Sequence, residues 1–179
     1  MAGKPPVNDY ILLMNRDRIL RTVERMAYQI DEDHKGGGDM LIVGNKERGA
    51  VVADYLANIL KELMDHSIYK ISLPKHDNDS GGFSAAASLP NHFEYSLVVD
   101  DVIFSGYTML HSLEVVRQQI ETKVLRTAVL IDRGHRKVPV EANFFGMKLP
   151  TKLNEHVRVC LDEHSLDKVI LTTGSKQYN

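Results

Sequence analysis

Residues 97–108, Leu-Val-Val-Asp-Asp-Val-Ile-Phe-Ser-Gly-Tyr-Thr, constrain this chain more than any other stretch. An apolar run ends in two adjacent acids, a short hydroxyl-rich loop turns on a glycine, and a helical pattern follows. That order predicts a buried parallel strand delivering its C-terminal end to a phosphate-binding turn. Gly106 lets the backbone approach an anion closely. Ser105 and Thr108 supply hydroxyls, and the amides of residues 105–108 can form an anion nest at a helix N-terminus. Asp100 and Asp101 lie too close to that anion to bind it themselves and suit sugar hydroxyls, or water on a magnesium ion. Alone, the pattern also describes an ordinary strand-loop-helix junction.

The same logic occurs earlier. Met40–Val43 reads as a short buried strand, 44–49 (Gly-Asn-Lys-Glu-Arg-Gly) as a turn holding two cations, and Val52, Leu56, Ile59, Leu60 and Leu63 as one face of a helix. Lys46 and Arg48 are either solvated loop charges or, at the C-terminal end of a parallel strand, a pyrophosphate grip. Tyr10–Met14 reads as an edge strand, Asn15 as the cap of a helix buried through Leu20, Val23, Met26, Ala27 and Ile30, and Ile68–Leu73 as a further strand. The small, glycine-containing segment from His76 to Asn91 is long enough to be a lid. Met109, Leu113, Val116 and Ile120 mark the helix after the central stretch. Val124–Ile131, Val157–Leu161 and Lys168–Leu171 read as later strands. The βαβ alternation predicts one α/β domain over 10–179 after a loose arm at 1–9, with a mostly parallel twisted sheet and helices on both faces. Residues from about Arg133 to Thr151 break the alternation and are expected to form a small cap over the strand ends.

A net charge of -2 gives no global basic field to draw in nucleic acid or a membrane surface. No apolar run approaches the length of a membrane span. The lone Cys160 allows no intrachain disulfide, which fits a reducing cytoplasm.

Three blocks carry a resemblance to a known family. Residues 44–49 resemble a Gly-x-Lys-x-Arg-Gly pyrophosphate loop, and residues 99–108 a loop that binds phosphoribosyl pyrophosphate (PRPP). Residues 130–136, Leu-Ile-Asp-Arg-Gly-His-Arg, resemble a Leu-Val-Asp-Arg-Gly-His-Arg block. In order and spacing the chain resembles the bifunctional pyrimidine-operon regulators and uracil phosphoribosyltransferases, members of the type I phosphoribosyltransferases, from about Tyr10 to Thr172. Phe104, aromatic where hypoxanthine-type transferases carry an acid, is similar to the pyrimidine group.

The resemblance implies transfer of ribose 5-phosphate from PRPP, with magnesium, to a pyrimidine base, uracil first. Arg48, Asp100 and Asp101 are the implied catalytic residues. Lys46, Arg48 and Gly49 face the pyrophosphate, Asp100 and Asp101 the ribose, and Ser105, Gly106, Tyr107 and Thr108 the 5′-phosphate. Phe104, Asp132, Arg133, Phe144 and Phe145 are base-pocket candidates, the two adjacent phenylalanines also reading as plain core. No permanent metal site is expected, and the resemblance implies a dimer or larger. The chain departs from the family at 73–77, Leu-Pro-Lys-His-Asp, where an arginine would stand, so that Lys75 takes its place or turnover is weak. Tyr107 also stands where relatives carry arginine. The alternative function is a nucleotide-sensing regulator that binds RNA with little catalysis. Glu24 and Tyr28 stand where such regulators would be cationic or small and polar, and Glu141 where they carry a basic residue; acids there repel phosphates.

Overall fold

The computed structural model describes residues 10–73 and 89–173. The elements are β1 (Tyr10–Met14), α1 (Arg16–Asp33), β2 (Met40–Asn45), α2 (Lys46–Leu63), β3 (Ile68–Leu73), β4 (His92–Ile103), α3 (Tyr107–Gln119), β5 (Glu121–Asp132), β6 (Phe144–Lys148), β7 (Glu155–Asp162) and β8 (Ser165–Thr173). The arm at 1–9, Lys75 and most of the His76–Asn91 lid lie outside the described residues. No helix among the described residues is long and apolar enough to cross a membrane.

Five strands form one sheet in the order β3-β2-β4-β5-β6, every neighbouring pair parallel. Buried on both faces, β2 is apolar throughout apart from its end. On one face α1 and α2 bury Val23, Met26, Ile30, Val52, Leu56 and Leu60 against Ile42, Leu97 and Val99. On the other, α3 buries Met109 and Val116 against Val43, Val98 and Val129. Asn15 caps α1 as expected, its side chain accepting the Arg18 amide at 3.0 Å. Ile19 rather than Leu20 takes the buried place in the first turn.

The sheet turns to β3 after β2 and to β5 after β4. Its topological switch point therefore lies between β2 and β4, and the crevice beyond their C-terminal ends is where open α/β sheets hold ligands. The two helices that start there lie on opposite faces.

Four expectations need correction. First, β4 does not end at the acids. It pairs with β5 through Asp100↔Val129 and on to Ile103↔Asp132, so continued main-chain pairing overrides the low strand propensity of aspartate. Second, the 44–49 turn is not a loop: β2 runs to Asn45 and α2 begins at Lys46, whose φ of 54° lets one left-handed residue reverse the chain. Third, Phe144 and Phe145 belong not to a cap but to β6, paired with Ala128 and Val129, roughly 13 Å below the Asp132 end at the usual strand rise. Phe144 is core beneath α1, and Phe145 packs on the opposite face with the Lys148 ammonium over its ring. Fourth, β7 and β8 do not extend the main sheet. With β1 they make a separate antiparallel sheet, β1-β8-β7, which forms the hood.

The α2–β4 contact depends on Gly49. A Cβ there would stand 2.8 Å from the Val99 carbonyl oxygen and 3.1 Å from Asp100 Cα, both fixed by the ladder. Gly49→Ala is expected to destabilise the fold by about 2 kcal/mol through overpacking, read as a lower urea midpoint at unchanged slope.

Candidate active site

Three strand ends build the crevice. From β2 and α2 come Lys46, exposed, and Arg48, half-buried in the first helical turn. Among the described residues neither side chain has an ion-pair partner. From β4 come the two acids. Asp101 is half-buried, and Asp100 is 7% exposed. Asp100 Oδ1 accepts the Asp101 amide at 2.9 Å, and Oδ2 accepts Asn45 Nδ2 at 3.3 Å. Burial first, then the neighbouring Asp101 charge, pushes the Asp100 carboxyl up to about 8, while those hydrogen bonds pull it down. Asp100 is thus less open than the pair was expected to be.

Phe104, Ser105 and Gly106 lead into α3. Gly106 has φ 90° at the cap position, a left-handed conformation only glycine takes without strain, and no side chain caps the helix there. The first amides of α3 therefore point toward the crevice with Ser105 half-buried and Tyr107 and Thr108 exposed beside them.

The segment that follows β5 is more structural than the sequence suggested. Asp132 Oδ1 accepts the Gly134 amide at 2.9 Å and Arg136 Nη2 at 2.7 Å. Arg136 also donates to the Phe104 carbonyl at 2.9 Å and the Val140 carbonyl at 2.9 Å, tying the turn before α3 to the segment after β5. Arg133 is buried; its guanidinium lies 4.3 Å over the Phe104 ring, donates twice to Thr151 Oγ1 at 3.0 Å and also to the Glu155 carbonyl. It therefore pins the hood to the end of β5 and covers one face of Phe104. A cavity of about 210 Å³ opens between Asp132, Arg136, Lys148 and Pro150.

The structure thus brings together Lys46, Arg48, Gly49, Asp100, Asp101 and residues 104–108, with Asp132 and Arg133 behind Phe104. It does not bring Phe144 or Phe145 to them. The sequence reading missed Arg136, visible within its own block, and the buried pair Asn45 and Ser112. A polar residue closing an otherwise apolar strand was the available signal for Asn45.

This arrangement has counterparts. A family profile described as a phosphoribosyl transferase domain matches residues 13–164. The bifunctional protein PyrR of Alkaliphilus metalliredigens is 31% identical over 175 residues, covering 93% of this chain and 96% of its own. This chain belongs to the PyrR family of type I phosphoribosyltransferases. Bifunctional protein PyrR 1 of Lactiplantibacillus plantarum is 33% identical over 155 residues, covering 80% of this chain and 86% of its own. Among solved structures, the hypoxanthine phosphoribosyltransferase of Trypanosoma cruzi superposes with a TM-score of 0.70 at 17% identity, covering 92% and 97% of the two chains. At that identity it speaks for the fold, and the PyrR relatives speak for the branch.

Proposed function

We propose that this PyrR-family chain transfers the ribose 5-phosphate of PRPP to a pyrimidine base, uracil first, releasing pyrophosphate. The bond from the anomeric carbon to the pyrophosphate oxygen breaks, a bond to a ring nitrogen forms, and the base gives up that nitrogen's proton. One observation carries the reading: two cations without ion-pair partners among the described residues, two adjacent acids and an uncapped helix N-terminus converge at the switch point. They match, in order, the pyrophosphate, the ribose and the 5′-phosphate of one substrate.

The α3 amides, with the Ser105 and Thr108 hydroxyls, hold the 5′-phosphate. Tyr107 contributes its amide rather than a side-chain cation. Asp100 and Asp101 hold the ribose hydroxyls. Lys46 and Arg48 receive the charge that builds on the departing pyrophosphate as the sugar becomes oxocarbenium-like. Phe104 gives the base an apolar edge, with Asp132 and Arg133 behind it.

The donors at the strand end are carboxylate oxygens, which suit magnesium. The described residues contain no cluster of three or more acidic, histidine or cysteine side chains able to cage a metal. Asp101 would hold the ion through its water shell, and PRPP oxygens would complete its coordination. Bound there, magnesium would neutralise pyrophosphate charge.

The test is pyrophosphate release with PRPP, magnesium and, in turn, uracil, hypoxanthine, guanine, adenine and orotate. Signal with uracil is expected. Signal with a purine alone would overturn the base assignment, and silence with every base would overturn transfer itself. Family membership favours a second reading, an RNA-binding regulator with little turnover, but Glu24 and Glu141 are exposed and oppose it. Salt-dependent RNA retardation in a gel would support that reading. Sedimentation tests the accompanying expectation of a dimer or larger.

A further inference from the structure

We propose that Asn45 is a positioning residue for phosphoribosyl transfer: anchored by Ser112, it holds the Asp100 carboxyl toward the ribose end of the crevice. The inference rests on the proposed transfer reaction and adds a residue that the Gly-x-Lys-x-Arg-Gly pattern leaves unspecified.

Asn45 is 1% exposed at the junction of β2 and α2. It occupies the cap position of α2, where an asparagine side chain normally accepts a helix amide, yet it makes no such bond. Its side chain turns across the crevice floor instead. Oδ1 accepts the Ser112 hydroxyl at 2.7 Å, and Nδ2 donates to Asp100 Oδ2 at 3.3 Å. Ser112 Oγ also lies 3.0 Å from the Thr108 carbonyl. A hydroxyl has one proton, and the shorter contact takes it, so the Asn45 amide is oriented with its NH2 toward the acid.

Both Asp100 oxygens are then occupied, Oδ1 by the Asp101 amide and Oδ2 by Asn45. The carboxyl has one orientation left. The three residues also come from the three elements that face the three parts of the substrate: β2–α2 the pyrophosphate, β4 the ribose, α3 the 5′-phosphate. An amide buried at this depth without partners would be destabilising by a few kcal/mol, whereas an apolar residue would fill the place without that risk. Asn45 touches no reacting atom and acts through Asp100.

The test is PRPP affinity, by calorimetry with magnesium, in wild type, Asn45→Leu, Ser112→Ala, Asp100→Ala and the pairwise doubles, with thermal melts confirming folding. Loss of a buried bond to a carboxyl predicts about tenfold weaker binding for Asn45→Leu and about threefold for Ser112→Ala. In the Asp100→Ala background both effects should shrink to less than about twofold, since their route is gone. In turnover, KM for PRPP should rise while KM for the base stays unchanged. Should Asn45→Leu not fold, the Ser112→Ala and Asp100→Ala cycle decides by the same criterion. Full additivity with Asp100→Ala, or wild-type affinity in both the Asn45 and Ser112 variants, overturns the inference while leaving the transfer reading intact. A wild-type protein that binds no PRPP overturns both.

Discussion

Replacing Arg48 with alanine should lower kcat/KM for PRPP by about 10²–10³-fold, the usual loss when one preorganised donor to a developing anion is removed. Arg48 stands in the first turn of α2, half-buried and without an ion-pair partner among the described residues, at the positive end of the helix dipole. The close approach of Gly49 to β4 fixes the backbone of that turn beside Asp100. Negative charge on the pyrophosphate is greatest as its bond to the sugar breaks, so kcat should fall more than KM rises. Arg48→Lys should recover only part of the loss, because an ammonium lacks the bidentate fork. Steady-state kinetics with PRPP varied at saturating base would check this. An Arg48→Ala rate within twofold of wild type would mean that the pyrophosphate leaves from somewhere else.

Asp100→Asn should act in opposite directions on activity and stability. Burial and the Asp101 charge raise the Asp100 carboxyl from 3.8 to about 8. Between those values the folded chain keeps a proton that the unfolded chain has released. The native state then binds more protons, so stability falls as pH rises across that window. Below pH 4 both states are protonated and Asp100 carries no such penalty. An amide cannot ionise. The substitution should therefore leave stability nearly unchanged near pH 4 and raise it on the order of 2 kcal/mol by pH 8. PRPP binding should fall at every pH, because the group proposed to face the ribose is altered. Denaturant titrations at pH 4.5, 6 and 8 on both proteins provide the readout. A constant difference across that range would show that Asp100 titrates normally.

Such a penalty at a buried crevice acid is expected of a site built for function rather than stability. It also explains why the crevice was partly legible from sequence. The apolar run before Asp100, the glycine at 106 and the helical spacing after it are local signals, and the strand, turn and helix formed as read. The boundaries did not, because pairing with β5 carries β4 through two residues of low strand propensity. At 44–49 a single left-handed residue, Lys46, does the work of a loop, and no composition signal marks a positive φ on lysine.

Phe144 and Phe145 illustrate a different limit. An apolar run of only four residues, Phe144 to Met147, with no helix before it gives no periodicity by which to tell a sheet strand from a cap. The hood was illegible for a third reason: it joins β1 at one end of the chain to β7 and β8 at the other, and antiparallel pairing over that separation leaves no trace in either segment. Asn45 and Ser112 were missed likewise, since an asparagine at a strand end gains meaning only from a serine on a helix far along the chain.

The most direct measurement is a crystal structure of the protein with PRPP and magnesium. The 5′-phosphate should lie on the amides of residues 105–108, the ribose hydroxyls against Asp100 and Asp101, and the pyrophosphate between Lys46 and Arg48. PRPP bound elsewhere, or a crevice left empty at saturating PRPP, would contradict the account.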